Sequence, residues 1–195
     1  MNAPVKCRVI IACSTLVRST RPLEEALRFI AQAGFRHVDV AAMPGWAHVE
    51  PSEIAESASA GSRNLNTLLQ SSSLKPVAVN GGTEHQLTSL LPDQQEKNLE
   101  QARALLHMSA DIRAPVLVLQ PGTRETDQKE WLQRAFEASA EVLSEIVQQA
   151  KRFRVTVAIE AHSGSLAERY EDAIRFVTRV PGLKLAFDPS HFIMN

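Results

Sequence analysis

The sequence predicts an α/β fold of the (β/α)8 TIM-barrel type, with about six of the eight β-α units present. Short β-branched segments alternate with amphipathic helical periodicities along all 195 residues. Such alternation gives a parallel sheet with right-handed crossover connections. Each predicted strand has one bulky and one small face, and five of the strands end in a polar residue. These three features together favour a barrel.

The composition is typical of one globular domain over residues 1–195. Hydrophobic residues make up 44% of the chain and charged residues 22%, which is enough to bury a core. A net charge of -1 and a pI near 6.6 disfavour nucleic-acid binding. No segment is apolar enough for a signal sequence or a membrane span. We therefore expect a soluble, cytoplasmic protein with a small-molecule partner.

The two cysteines support this location. Cys7 and Cys13 lie six residues apart on the first apolar run, where alternate side chains point to opposite faces. A disulfide within one strand at this spacing would be badly strained. Reduced thiols are typical of the cytosol.

Six strands are predicted from the β-branched runs, and helices from apolar residues at helical spacing. Helical periodicity begins near Leu23, Leu99, Leu132 and Tyr170. The region 53–73 is poor in apolar residues and contains Gly61, so part of it is predicted to be loop. The predicted strands are residues 9–14, 38–42, 76–80, 116–120, 155–160 and 183–188.

The two faces of each strand distinguish a barrel from an open sheet. In the fifth strand, Val157 and Ile159 alternate with Ala158 and Glu160. An open sheet covered by helices on both faces needs bulky residues on both sides. A barrel has helices only outside and accepts smaller residues inside. The small face is therefore predicted to line a barrel interior.

Polar residues occupy this inner face at the carboxyl ends of successive strands. They are Asp39, Asn80, Gln120, Glu160 and Asp188. Any one of them has a simpler explanation, because Asp and Asn often begin loops and caps. Five in register favour a binding site at the carboxyl-terminal mouth of the barrel.

Two acid and histidine pairs at this mouth suggest a divalent-metal site. Glu160 precedes His162 and Asp188 precedes His191, and a carboxylate at the end of an apolar strand needs a cation, a proton or strong donors. Both histidines could act as ligands or hydrogen-bond donors. The alternatives are that Glu160 pairs with an arginine or caps a helix, and that Asp188 is a turn residue before Pro189.

Trp46 falls in the loop after the second strand, beside the predicted mouth. An aromatic side chain at this place could cover a ligand, and packing within the protein explains it equally well. Sequence reasoning leaves both interpretations open.

The chain resembles the xylose isomerase-like family of (β/α)8 barrels, which groups sugar and sugar-phosphate isomerases and epimerases with apurinic endonucleases. The segments that carry the resemblance are 33–39 (AGFRHVD), 159–166 (IEAHSGSL) and 187–191 (FDPSH). Between them these segments extend over nearly the whole chain.

The resemblance implies roles for residues at the mouth. Glu160 and Asp188 match the family's metal ligands, for Mn2+, Mg2+, Co2+ or Zn2+, and His191 matches a histidine that contacts substrate or metal. The implied reaction is isomerisation or epimerisation through an enediolate, with Glu160 and His191 as catalytic residues. His162, Asp39, Asn80 and Gln120 are then expected to bind the sugar or sugar phosphate.

The resemblance also implies that the chain is truncated after its sixth strand. A complete barrel of this type has about 250 residues, and the family takes further ligands from strands seven and eight. We expect the first and sixth strands to have unpaired edges, through which a second copy could associate.

Two other functions stay open. A non-catalytic or partner-dependent binding protein would hold a ligand on the same residues. An endonuclease would need histidines at the ends of strands three and four, where Asn80 and Gln120 stand. The charge balance also disfavours the endonuclease.

Overall fold

A computed structural model describes residues 9–193, apart from the side chains of residues 58–60 and 192. Six parallel strands form one sheet in chain order, from β1 to β6. They are β1 Cys13–Ser14, β2 His37–Ala42, β3 Lys75–Gly81, β4 Val116–Leu119, β5 Thr156–Glu160 and β6 Lys184–Ala186. The α/β fold of TIM-barrel type with six strands is thus confirmed.

Within residues 9–193, seven α-helices and one 3-10 helix, Thr15–Arg18, follow or separate the strands. The region 53–73 is more helical than predicted, because α2 and α3 meet there with only Ser57 between them. Pro51 begins α2, where its missing N–H has no cost. The helices are α1 Leu23–Gln32, α2 Pro51–Glu56, α3 Ala58–Ser71, α4 Pro92–Asp111, α5 Lys129–Phe153, α6 Tyr170–Arg179 and α7 Pro189–Ile193.

The first predicted strand is correct only for its last two residues. Cys13 and Ser14 pair with β2, whereas residues 9–12 belong to no strand. Val9 and Ile11 are 83% and 71% exposed, so neither a second strand nor a helix covers them. Apolar β-branched residues predicted the strand, but pairing and burial stabilise it. The prediction about Cys7 falls outside the described residues.

The alternation of side chains along the strands places the polar residues on one face. Asn80 is in register with Ala41 and Val118, and Glu160 with Ala186, so these side chains share the inner face. The opposite face packs under the helices. Five of its residues are at most 2% exposed: Val40, Val79, Leu117, Val157 and Ile159.

The helix layer is held to the sheet by a continuous apolar core. In it, Phe176 of α6 is fully buried and its ring centroid lies 4.5 Å from that of Phe136 on α5. Arg175 places its guanidinium over the outer face of Phe136, 3.7 Å from the ring centroid. This aromatic contact joins α5, which packs on β5, to α6, which packs on β6.

β1 and β6 are the edge strands of the sheet within residues 9–193. Apolar side chains are exposed beside both edges, with Ile11 at 71% near β1 and Phe187 at 68% after β6. The prediction of two unpaired edges is thus confirmed. Within the same residues, no helix combines the length and apolar character needed to cross a membrane.

We predict that Phe176→Ala lowers the free energy of unfolding by about 3–5 kcal/mol, because it leaves a cavity against Phe136. Tyr170→Ala, on the same helix but 63% exposed, is the matched control and should change stability by less than about 0.5 kcal/mol. Urea denaturation followed by circular dichroism measures both. Equal losses in the two variants would contradict this account of the core.

Candidate metal centre

Three potential metal ligands meet at the carboxyl ends of β5 and β6. Glu160 is the last residue of β5, Asp188 follows β6, and His191 lies in α7. One ligand atom from each lies within 4.8 Å of the others. The rigid strand positions Glu160, and the turn into α7 brings the other two residues toward it.

Asp188 has two roles in this arrangement. Its Oδ1 accepts hydrogen bonds from the Ser190 N–H at 2.8 Å and the Ser190 hydroxyl at 2.7 Å, so it caps α7, in line with the alternative of a turn residue before Pro189. Its Oδ2 lies 3.6 Å from Nε2 of His191. The bonds from Ser190, assisted by His191 and His162, hold the pKa of Asp188 below its usual value. Asp188 therefore remains a carboxylate, the form that binds metal.

The rings of the two predicted histidines are in tilted contact. The ring centroids of His162 and His191 are 4.1 Å apart, at an angle of 44°. Nδ1 of His162 lies 2.5 Å from the carbonyl oxygen of Ser163, which can only accept, so Nδ1 carries the proton. His162 therefore contacts the ligand group by packing its ring against His191. Its Nε2 remains available to another partner.

Glu160 and its surroundings do not support the arginine or helix-cap alternative. The side-chain ion pairs and hydrogen bonds found among residues 9–193 leave Glu160 without an arginine partner or a cap position. Two carboxylates and one imidazole form a donor set that suits a divalent cation. The residues present thus fit the metal that the sequence predicted.

Asp39 and Asn80 lie on the inner face of β2 and β3. Asn80 is near the carboxyl end of β3 as predicted, whereas Asp39 lies in the middle of β2 (His37–Ala42) and therefore deeper than the predicted mouth. Oδ1 of each is buried and has no hydrogen-bond partner among the described residues. Burial raises the pKa of Asp39 to about 6, against a hydrogen bond from Ser14 that lowers it, and the charge of Glu160 raises it further. The structure thus brings Asp39 within electrostatic range of Glu160, as expected for one mouth.

Gln120 lies beyond the end of β4, on the wall of a cavity of about 220 Å³. Trp46 lines the same cavity from the loop after β2 and is 58% exposed, so it does not serve as a core residue. Gln120 therefore lies farther round the mouth than the Glu160 group, between that group and Trp46.

The loops after β4 and β5 are joined backbone to backbone. The Arg124 N–H donates to the Gly164 carbonyl at 2.8 Å, and the Leu166 N–H donates to the Gly122 carbonyl at 2.9 Å. These two loops carry Gln120 and His162 at their starts. The crossing hydrogen bonds therefore fix the two predicted site residues relative to each other.

Arg124 strengthens this junction. Its side chain is only 15% exposed and lies 2.8 Å from Asp127, 3.4 Å from Glu168 and 3.8 Å from Asp172. One guanidinium thus connects the β4 loop with the β5 loop and α6. Sequence reasoning did not find this arginine, because only Asp127 is close to it along the chain.

A larger groove of about 820 Å³ lies on the outer surface of α4, α5 and α6, with His107, Glu145 and Arg179 in its walls. Glu145 pairs with Arg103, and Arg179 pairs with Glu137. Its lining comes from the helices and not from strand ends. The mouth therefore remains the candidate site.

The chain belongs to the xylose isomerase-like TIM barrel family, whose sequence model matches residues 27–195. A search of curated protein sequences gave no significant match. Solved structures, by contrast, gave many matches over nearly the whole chain.

Three of these structures illustrate the likeness. Apo 3-keto-D-glucoside 4-epimerase (YcjR) from E. coli is 13% identical, with a TM-score of 0.74 over 96% of this chain and 71% of that one. A family protein from Mycobacterium smegmatis in complex with magnesium is 16% identical, with a TM-score of 0.72 over 94% and 66%. D-psicose 3-epimerase in the presence of D-fructose is 13% identical, with a TM-score of 0.75 over 94% and 65%.

These likenesses establish the fold. The chain spans about two thirds of the length of the structures that it matches, between 65% and 71% in these three.

We predict that Asp39→Asn stabilises the metal-free protein at neutral pH. The folded state raises the pKa of Asp39 from 3.8 to about 6, so it binds the proton more tightly than the unfolded chain does. Stability of the parent protein therefore falls as pH rises through this window, by on the order of 2 kcal/mol relative to the variant.

Thermal unfolding of both proteins between pH 4 and pH 7 measures this effect. The difference in stability between the parent protein and the variant should vanish at about pH 4. Asp111→Asn, at an exposed aspartate of α4, is the control. A parent protein that gains stability relative to Asp39→Asn as the pH rises would contradict the prediction.

We also predict that Gly122→Ala is more damaging than Gly164→Ala. Both glycines have positive φ, +97° and +78°, but a Cβ at Gly122 would lie 2.8 Å from the backbone N of Thr88, whereas Gly164 faces open space. Strain alone should cost about 1 kcal/mol at Gly164, and strain with overlap about 3 kcal/mol at Gly122. Urea denaturation compares them, and a larger loss at Gly164 would refute the close packing.

Proposed function

We propose that this protein is a sugar or sugar-phosphate isomerase or epimerase that uses a divalent metal, and that residues 1–195 form a single domain. The observation that carries the proposal is the convergence of Glu160, Asp188 and His191 at the barrel mouth, with ligand atoms within 4.8 Å of one another. Carboxyl-terminal mouths are where barrels of this type place their chemistry.

The donor set favours Mn2+, Mg2+, Co2+ or Zn2+, with Glu160 and Asp188 as ligands and His191 beside them. Such an ion would stabilise the negative charge that develops on the oxygens of a hydroxy-carbonyl sugar. The proton that moves during isomerisation needs a positioned base, and Glu160 is the carboxylate at the strand end for this role.

The remaining polar residues suit a hydroxyl-rich ligand. Oδ1 of Asp39 and Oδ1 of Asn80 are buried acceptors that lack a donor among the described residues, and a sugar hydroxyl is such a donor. Gln120 and His162 offer both donors and acceptors at neighbouring strand ends. We assign these four residues to substrate binding.

The structural relatives support the same class. Two of the three compared structures are described as sugar epimerases, and the third holds magnesium. At 13–16% identity these structures are relatives in fold. The proposed substrate and metal of this chain are therefore argued from its own residues.

A second candidate is a non-catalytic or partner-dependent binding protein. The observation that favours it is the pair of edge strands, β1 and β6, with exposed apolar side chains beside them within residues 9–193, where a second chain could associate. In that case the same mouth would bind metal and ligand without turnover.

We predict that the metal-stripped chain binds about one Mn2+ and that Glu160→Gln weakens the binding at least about tenfold, because one anionic ligand is lost. Asp188→Asn should act in the same direction. Calorimetric titration measures the affinity and the stoichiometry. An assay of sugar isomerisation on the loaded protein then separates the enzyme from the binding protein.

Asp172→Asn is the matched control, because this carboxylate contacts Arg124 and lies outside the ligand group. It should leave Mn2+ affinity within about twofold of the parent protein. A folded parent chain that binds no Mn2+, or a Glu160→Gln variant that binds it unchanged, would refute the proposed metal centre.

A further inference from the structure

The cavity beside Trp46 lies at the mouth but outside the metal-ligand group. It is lined by the loop after β2, the loop after β3 and Gln120 beyond β4, and has a volume of about 220 Å³. A cavity of this size holds part of a small ligand and not a whole drug-sized molecule. Gln120 stands one strand away from Glu160, so a molecule held at the metal group can extend along the mouth toward this cavity.

The walls of the cavity are held by buried polar side chains. Gln101 of α4 is 5% exposed, and its Oε1 accepts from the Glu84 N–H at 2.7 Å. Asn98 is fully buried, and its Nδ2 donates to the Gln86 carbonyl at 2.9 Å. Both bonds fix the backbone of the loop after β3. Such supporting contacts behind a concave surface pre-organise it for a ligand.

The loop that carries Trp46 is also fixed. The Gly45 N–H donates to Oε2 of Glu50 at 2.9 Å, and Nε2 of His48 lies 3.0 Å from the Arg18 carbonyl oxygen. Trp46 nevertheless leaves 58% of its surface exposed between these anchors. An indole exposed on an anchored loop, at the edge of a polar cavity, presents an apolar face and one N–H donor to a ligand.

The charge of this cavity discriminates between ligands. Among its described lining residues Glu84 is the single ionisable group, and lysine and arginine are absent from that set. The guanidinium of Arg124, in the loop after β4, already faces Asp127, Glu168 and Asp172. A phosphate dianion placed here would meet a carboxylate and, among the described lining residues, no cation, which is strongly unfavourable.

We propose that this cavity is the subsite for the far end of an uncharged sugar, with Trp46 against the apolar C–H face and Gln120 on its hydroxyls. The chain then selects a free sugar over its terminal phosphate ester. This inference rests on the proposed function and specifies its substrate class.

The test uses D-fructose and D-fructose 6-phosphate as probes on the full 195-residue chain with saturating Mg2+. Trp131→Phe leaves Trp46 as the single tryptophan, since the chain has two. D-fructose should change the Trp46 emission saturably. By calorimetry, D-fructose 6-phosphate should bind at least about tenfold more weakly than D-fructose.

Two further variants test the residues separately. Trp46→Ala should weaken D-fructose binding about fivefold through the lost aromatic contact. Glu84→Gln keeps an acceptor for Gln101 and removes the negative charge. It should therefore reduce the ratio of the affinities for D-fructose and D-fructose 6-phosphate about threefold. Thermal unfolding of each variant confirms that it is folded.

Equal or tighter binding of the phosphate ester overturns the proposal. So does D-fructose binding that leaves Trp46 emission unchanged or is unaffected by Trp46→Ala, and so does the absence of any binding. The metal titration is independent of Trp46. A chain that binds Mn2+ but fails these tests loses the subsite alone, whereas loss of metal binding with an intact Trp46 response refutes the metal centre alone.

Discussion

The alternation of side chains along parallel strands in fixed register is the constraint on which the rest of the molecule depends. Ile159 points outward into the helix layer, and its neighbour Glu160 points inward to the mouth. A slip of one residue would bury the carboxylate under α5, which packs on β5, and turn the isoleucine to the interior. Burial of the apolar side chains on the outer face of the sheet thus also makes the site residues point inward.

A second level of order comes from the loops. Strand ends alone would leave Gln120 and His162 at the base of long connections, which are free to move. Here hydrogen bonds between the loops and the buried guanidinium of Arg124 restrain them. The metal-ligand group differs, because Asp188 is held by the short α7 that it caps. The carboxylate of Asp188 thus stabilises α7 with one oxygen and presents the other oxygen to the ligand group.

The sequence predicted those parts that depend on local pattern. Two-residue alternation identified the inner face, and with it the convergence of Glu160, Asp188 and His191. It overestimated β1, because the apolar residues 9–12 form a strand only if a neighbour pairs with them. It underestimated helix in 53–73, where packing against α4 compensates for the few apolar residues.

Contacts between distant segments could not be predicted in the same way. Arg124 meets Glu168 and Asp172 only after β4 and β5 pair, and the spacing of these residues along the chain carries no signal. The same holds for Glu84, whose place at the cavity depends on Gln101 of α4. The exposure of Trp46 could not be predicted either, since the sequence does not show whether an indole in a loop is packed inside the protein or exposed to solvent.

The hydrogen bonds that cross between the loops after β4 and β5 also limit how this protein can change. An inserted or deleted residue in 121–128 would move Gly122 and Arg124 out of line with their partners in 161–169. Natural variants and engineered libraries should therefore accept changes of length in these two loops together and reject them singly. Among the described residues, the Gly82 N–H donates to the Ala42 carbonyl at 2.9 Å, which joins the loops after β2 and β3 at their base. New specificity is most easily introduced beyond this point, beside Trp46.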